Sequence, residues 1–204
     1  MSLASCSRGF IEKEFSEGDF SDTVYITTNP HFSEKKFKEI TGREIEDVFH
    51  EVFHTYKTDW DDEKGTVMPE PVIRDTNTAE KLYPDKKKVI HFMQPHRPFV
   101  TSDIEMEGMS IELDVDNQGI YSMVRRNEVS KSKVKELYDE NLQYVLRELG
   151  ELDISGKSII TADHGEMLGE NGVYAHPCGY GLKHLREVPW DILPDSNFDK
   201  ISDF

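Results

Sequence analysis

Lys157-Ser-Ile-Ile-Thr-Ala-Asp-His-Gly-Glu166 decides the fold. Its first six residues form a short apolar, β-branched run, the profile of a buried strand. Just upstream, between Ser130 and Gly150, Val134, Leu137, Tyr138, Leu142, Val145, Leu146 and Leu149 recur at three- and four-residue intervals. That spacing predicts one amphipathic helix ended by glycine. A helix feeding a buried strand is the repeating unit of a parallel α/β sheet.

Two further strands extend the pattern. Asp22-Thr-Val-Tyr-Ile-Thr-Thr-Asn29 alternates β-branched and aromatic residues and closes at Asn29-Pro30. Lys87-Lys-Val-Ile-His-Phe-Met93 lies between Pro84 and the pair Pro95 and Pro98, and its contiguous apolar residues predict a strand covered on both faces. Ser33 caps a short charged helix that stops before Gly42. Asp103 to Gln118, acidic and dotted with methionine, has no clear period and reads as an excursion outside the sheet. The expectation is one α/β domain over residues 1–204, a mostly parallel sheet flanked by helices, with an insertion at about 100–130.

Composition limits what such a domain can do. The 204 residues are 36% hydrophobic and 31% charged, which is globular rather than low-complexity. Lys plus Arg number 24 and Asp plus Glu 40, so the net charge is 24 − 40 = −16. That surface repels nucleic-acid backbones and anionic lipid, so an anionic substrate needs a local cation to invert the field. No apolar run approaches a membrane span, and Met1 to Phe10 lacks a secretory stretch, so the expected location is cytoplasmic. Cys6 and Cys178 allow at most one disulfide and no C-x-x-C metal pair, and they say little about compartment.

The chemistry gathers at the end of the strand at 157–162. Carboxyl ends of strands in open α/β sheets bind ligands, and Asp163 and His164, followed by a turn-permitting glycine, can face one divalent cation. The plain alternative makes Asp163 a turn cap and His164 a surface residue. What lies beside them matters. Asp163-His-Gly-Glu-Met-Leu-Gly-Glu-Asn-Gly-Val-Tyr-Ala-His176 resembles the metal motif of the alkaline phosphatase and sulfatase superfamily, particularly its phosphoethanolamine transferase branch. His91-Phe-Met-Gln-Pro-His-Arg-Pro-Phe99, Tyr138-Asp-Glu-Asn-Leu-Gln-Tyr-Val and Gly181-Leu-Lys-His-Leu-Arg-Glu-Val-Pro-Trp190 are similar to sulfatase segments in the same order, over roughly residues 20–193.

The resemblance implies a sulfatase-like fold and a metal-dependent hydrolase or transferase, of the EC 3.1 class as a full-length protein, acting on sulfate or phosphate esters. It makes Asp163 and His164 the metal ligands. His96, His176 and Lys183 become catalytic contacts to the substrate's anionic group or to a second metal. Zinc or manganese suits an Asp-His pair better than calcium. The substrate is a small anionic ester such as a sulfated or phosphorylated glycan or lipid head group. His91, mid-strand, reads as a core histidine, and Lys183 without its flanks as a solvated cation.

The family's nucleophile motif and its early Asp ligands are missing. Ser5-Cys-Ser-Arg-Gly9 has no proline, and its arginine is misplaced for the sulfatase pattern. The chain therefore reads as incomplete at the N-terminus, with the metal absent alongside that part as one expectation, or as a non-catalytic relative that binds an anionic glycan or lipid head group. A third reading comes from His50-Glu-Val-Phe-His54, which matches the zinc-peptidase pattern H-E-x-x-H when helical. Lys57 and Trp60 break its longer form, and a glutamate third ligand such as Glu70 or Glu80 would lie beyond the proline-bounded break around Pro69 and Pro71. The acidic run Asp59, Asp61, Asp62 and Glu63 lacks the features of a calcium loop, and the methionines between 93 and 123 suit packing rather than copper.

Overall fold

The computed structural model describes residues 1–106, 108–112 and 119–193. At its centre is β1 (Phe20–Thr27), following helix α1 (Ser7–Phe15). After β1 come α2 (Glu34–Thr41), β2 (Phe49–His54), the short α3 (Thr55–Thr58), the hairpin β3 (Trp60–Asp61) and β4 (Thr66–Val67), then α4 (Pro69–Leu82) and β5 (Lys87–His91). The strands β2, β1 and β5 lie side by side in that order, both pairings parallel, and the crossovers run through helices as parallel pairing requires.

β1 is buried on both faces because its alternating side chains enter two cores. Tyr25 joins Phe15, Phe32, Phe37 and Phe49 in an aromatic cluster under α1 and α2. Val24 and Ile26 point the other way, into a cluster with Tyr56, Val67, Val72 and Ala79 under α4. The cover on both faces expected of the strand at 87–93 therefore belongs to β1. β5 is half-exposed, with Val89 39% exposed, because among the described residues it pairs only with β1.

The second half of the chain carries α5 (Gly119–Arg125), α6 (Lys131–Glu148), β6 (Ser158–Thr161), the ribbon β7 (Met167–Leu168) and β8 (Tyr174–Ala175), α7 (Lys183–Arg186) and β9 (Trp190–Leu193). α6 matches the expected helix, with the Ser130 hydroxyl accepting from Lys133 N–H as its N-cap. β6 corrects the expectation that helix feeds parallel strand: it pairs antiparallel with β9 and has no described partner in the main sheet. It is held instead by packing, since Ile160 and Leu193, like Phe92 and Leu146, pack against Leu149. Of the excursion at 103–118, residues 107 and 113–118 lie outside the described residues. Met106 and Met123 pack against the cluster of Phe99, Ile120, Tyr121, Val134 and Leu137, as packing methionines should.

Two other readings change. His50-Glu-Val-Phe-His54 is strand β2, not helix. In a strand, residues four apart stand roughly 13 Å apart rather than one helical turn, so the pair cannot share a zinc ion. Asp59, from the acidic run, makes a two-point ion pair with Arg74 at 2.9 and 2.7 Å. Cys6 and Cys178 form a disulfide across a sequence separation of 172. Such bonds persist in oxidising compartments and, in the cytosol, mark redox-active pairs, so a cytoplasmic chain would carry this one as a redox-active bond. No helix among the described residues is long and apolar enough to cross a membrane.

Candidate functional site

The parallel register sets Thr27 of β1 beside His54 of β2 and His91 of β5, so the three carboxyl ends lie together. The loop after β5 brings in His96, the turn after β6 brings Asp163, His164 and Glu166, and the residue after β8 is His176. These side chains converge. The rings of His164 and His176 lie 4.4 Å apart and those of His96 and His176 4.9 Å apart. His96, Glu166 and His176 each offer a ligand atom within 4.8 Å of the others.

Three of these imidazoles share one device. His164 Nδ1 donates to the Gly165 carbonyl at 2.9 Å, His176 Nδ1 to Glu166 Oε2 at 2.6 Å, and His96 Nδ1 to the Arg97 carbonyl. Each partner is an oxygen that only accepts, so each ring carries its proton on Nδ1 and leaves Nε2 for the site. Oxygen acceptors at Nδ1 are how proteins orient histidines that face a metal or an anion.

Ser7 was not singled out from sequence. It opens α1, and its hydroxyl donates to Asp163 Oδ2 at 2.7 Å while lying 3.2 Å from His164 Nε2. Asp163 Oδ2 and His164 Nε2 are themselves 3.5 Å apart. Two acceptors therefore face each other across one hydroxyl proton. A proton on His164 or a cation between them resolves that deficit, and the oxygen-nitrogen-oxygen donor set suits a divalent metal.

Glu166 is nearly buried, its side chain 5% exposed, and both its oxygens are engaged: Oε2 with His176 and Oε1 with the Tyr121 hydroxyl, which donates at 2.8 Å. Tyr121 comes from α5, inside the stretch expected to be a mere insertion. Burial alone would raise the Glu166 carboxyl, but His176 and Tyr121 bring it down to about 2. Burial alone would lower His176, but Glu166 outweighs it and the ring is raised. His96 goes the other way, pushed down to about 3 by burial. Asp163 is held below the ordinary carboxylate value, burial being overcome by His164, His91 and the Ser7 hydrogen bond. His91 is lowered by burial and meets the Tyr25 hydroxyl at 3.2 Å, as a core histidine should. Next to His96 the buried Arg97, 9% exposed, sets its guanidinium 5.9 Å from the Tyr121 ring centre.

The loop that carries His96 is fixed by α6. Asn141, fully buried, donates to the carbonyls of Pro95 and His96 at 3.2 Å each and accepts from Val100 N–H. Gly165 is required by close approach rather than by a turn: its N–H donates to the Leu185 carbonyl at 2.9 Å, and a Cβ there would meet the His184 carbonyl oxygen at 2.0 Å. Lys183, by contrast, is not part of the cluster. Its side chain is 73% exposed and pairs with Glu187 at 3.2 Å, one turn along α7. No family model, curated protein or solved structure matches the chain.

Proposed function

We propose that the chain carries the site of a metal-dependent hydrolase or transferase for phosphate or sulfate esters, related to the alkaline phosphatase and sulfatase superfamily. The observation that carries this reading is the set of three neighbouring imidazoles at the strand ends, each tied at Nδ1 to an oxygen, with His164 Nε2 at 3.5 Å from Asp163 Oδ2. Asp163 and His164 are the residues that would hold a divalent metal. Bound there, the metal would supply Lewis acidity toward the ester's anionic oxygens.

The chain's own groups do the rest. The Ser7 hydroxyl, at the positive end of α1, gives its proton to Asp163 or His164 and attacks phosphorus or sulfur. Arg97 and the raised His176 face the ester's negative charge, and His176 Nε2 delivers a proton to the leaving oxygen. His96, held neutral, accepts a hydrogen bond. A local cluster of cationic and metal-holding groups is what an anionic substrate needs on a chain of net charge −16.

Manganese binding by calorimetry and hydrolysis of 4-nitrophenyl phosphate and 4-nitrophenyl sulfate test the reading. Asp163→Ala and His164→Ala are expected to weaken binding and abolish turnover, and Ser7→Ala to abolish turnover alone. Unchanged metal content and activity in the first two variants would overturn it. A second reading, a non-catalytic relative binding an anionic glycan or lipid head group, is favoured by one observation. Both cysteines are locked in the disulfide, so neither is available as a sulfatase-type nucleophile. It predicts that inorganic sulfate or phosphate binds while neither nitrophenyl ester turns over.

A further inference from the structure

Residues 2–7 are stitched onto the far end of the chain. Ser2 N–H donates to the Arg186 carbonyl at 2.7 Å, and Arg186 Nε returns a bond to the Ser2 carbonyl at 3.1 Å. The Ser2 hydroxyl donates to the Asp163 carbonyl, and the Ser5 hydroxyl to the Pro177 carbonyl at 3.0 Å. The only covalent stitch is Cys6–Cys178. Its two ends sit beside site residues: Cys6 precedes Ser7, and Cys178 lies two residues past His176. β6 has no described ladder to the main sheet and is held there by packing, so the strap is the covalent tie between Ser7 and the 163–178 segment.

The two sulfurs are unequal. Cys6 is 3% exposed and is the N-cap of α1, its sulfur accepting from Gly9 N–H at 3.4 Å. Cys178 is exposed. A thiolate from solvent therefore reaches the Cys178 sulfur. The sulfur it displaces is Cys6, whose negative charge falls on a helix N-terminus with a waiting N–H donor.

We propose that Cys6 and Cys178 are positioning residues whose bond assembles the site, and that a dithiol reductant disassembles it. The reductant's first thiolate attacks Cys178 Sγ, the disulfide breaks, and Cys6 leaves as a thiolate. The second thiol of the reductant then closes on the mixed disulfide, releasing Cys178 as a thiolate. Two electrons pass from dithiol to protein and the reductant ends as its cyclic disulfide. Freed of the bond, residues 2–6 hang on the four hydrogen bonds of Ser2 and Ser5, and Ser7 leaves Asp163 and His164. The opening is independent of the reading of Asp163 and His164 as a metal pair; only the manganese readout rests on it.

The test compares oxidised, dithiothreitol-reduced and re-oxidised full-length protein, with Cys6→Ser/Cys178→Ser as a permanently open form. Hydrogen exchange read by mass spectrometry is expected to show lost protection over residues 2–9 in the reduced and double-variant forms. Protection over β1, β2 and β5 should persist, and re-oxidation should restore residues 2–9. Manganese affinity, measured with manganese alone so that freed thiols do not compete for zinc, should fall roughly 10–100-fold and return on re-oxidation, the size seen when groups behind a metal's ligands are lost. Limiting monothiol should leave its adduct on Cys178. Unchanged protection over 2–9 after reduction overturns the proposal, as does loss of protection throughout the sheet, which would make the bond a general brace. An adduct on Cys6 overturns the order of attack. Absent manganese binding in every form, with 2–9 still opening, sinks the metal reading and leaves this one supported.

Discussion

Glu166 shows most plainly what individual residues contribute. With one oxygen on His176 and the other on Tyr121, each of its oxygens already holds a partner. It is better placed to orient His176 than to bind metal itself. Tyr121→Phe should therefore cost about 1.5–3 kcal/mol, the worth of a hydrogen bond to a charged group. Glu166→Gln should return His176 toward or below its ordinary proton affinity, because the charge that overcomes burial is gone. Urea unfolding checks the first, and a pH titration of the His176 ring resonance checks the second; an unmoved titration would remove Glu166 from this role. At this scale the sequence was legible where neighbours in the chain are neighbours in space. Asp163, His164 and His176 fall in one run, and His96 sits in a proline-bounded loop. Ser7 reaches Asp163 across 156 residues and Tyr121 reaches Glu166 across 45, and no local pattern carries such contacts. Lys183 was assigned from its flanks, yet Glu187 four residues on was the local signal for a surface ion pair.

Among the elements, α6 was readable because the seven apolar positions from Val134 to Leu149 fit only one period. β2 was not, since His50 to His54 satisfies a helical motif while Phe49, Val52 and Phe53 suit a strand equally well. Register against β1, from Phe20 opposite Phe49 to Thr27 opposite His54, settles it, and register is a tertiary property. β6 was placed correctly as a strand but in the wrong sheet, because a four-residue apolar run does not specify its partner. α6 does more than cover the sheet. Asn141 on its buried face ties down the 95–100 loop, so Asn141→Ala should leave the carbonyls of Pro95 and His96 short of a donor. The expected loss is about 2–4 kcal/mol, several hydrogen bonds at roughly 1 kcal/mol each plus the uncompensated burial. Manganese affinity should fall only to the extent that His96 shapes the cluster. Stability measured by urea and affinity measured by calorimetry on the same variant separate the two effects, and stability unchanged within about 0.5 kcal/mol would refute the tie.

For the molecule as a whole, the buried histidines set the response to acid. His31, whose Nδ1 donates to Asn29 Oδ1 at 3.0 Å, is pushed down from 6.5 to about 4 by burial, with Lys36, Arg8, His91 and His176 adding to it. His96 falls to about 3. A histidine held neutral in the fold binds fewer protons than its unfolded counterpart between those two values. Stability is therefore full above pH 6.5 and declines as pH drops toward 4 and 3. Glu166, lowered from 4.5 to about 2, and Asp163, also lowered, add a second decline in the carboxylate range with the same sign. His176 is the exception: raised, it contributes stability below 6.5 that is lost as pH climbs through its folded value. Easing of the −16 surface charge also favours the fold in acid, but those charges are exposed and screened within about 8 Å at 0.15 M salt. The buried groups should win. Urea unfolding in 0.15 M salt is expected to lose stability already between pH 6.5 and 5, above the range of ordinary carboxylates, with each neutral histidine adding at most about 1.4 kcal/mol per pH unit. His31→Asn should remove one such increment from that slope. A wild-type profile flat from pH 7 to 5 would mean that solvent reaches these rings freely.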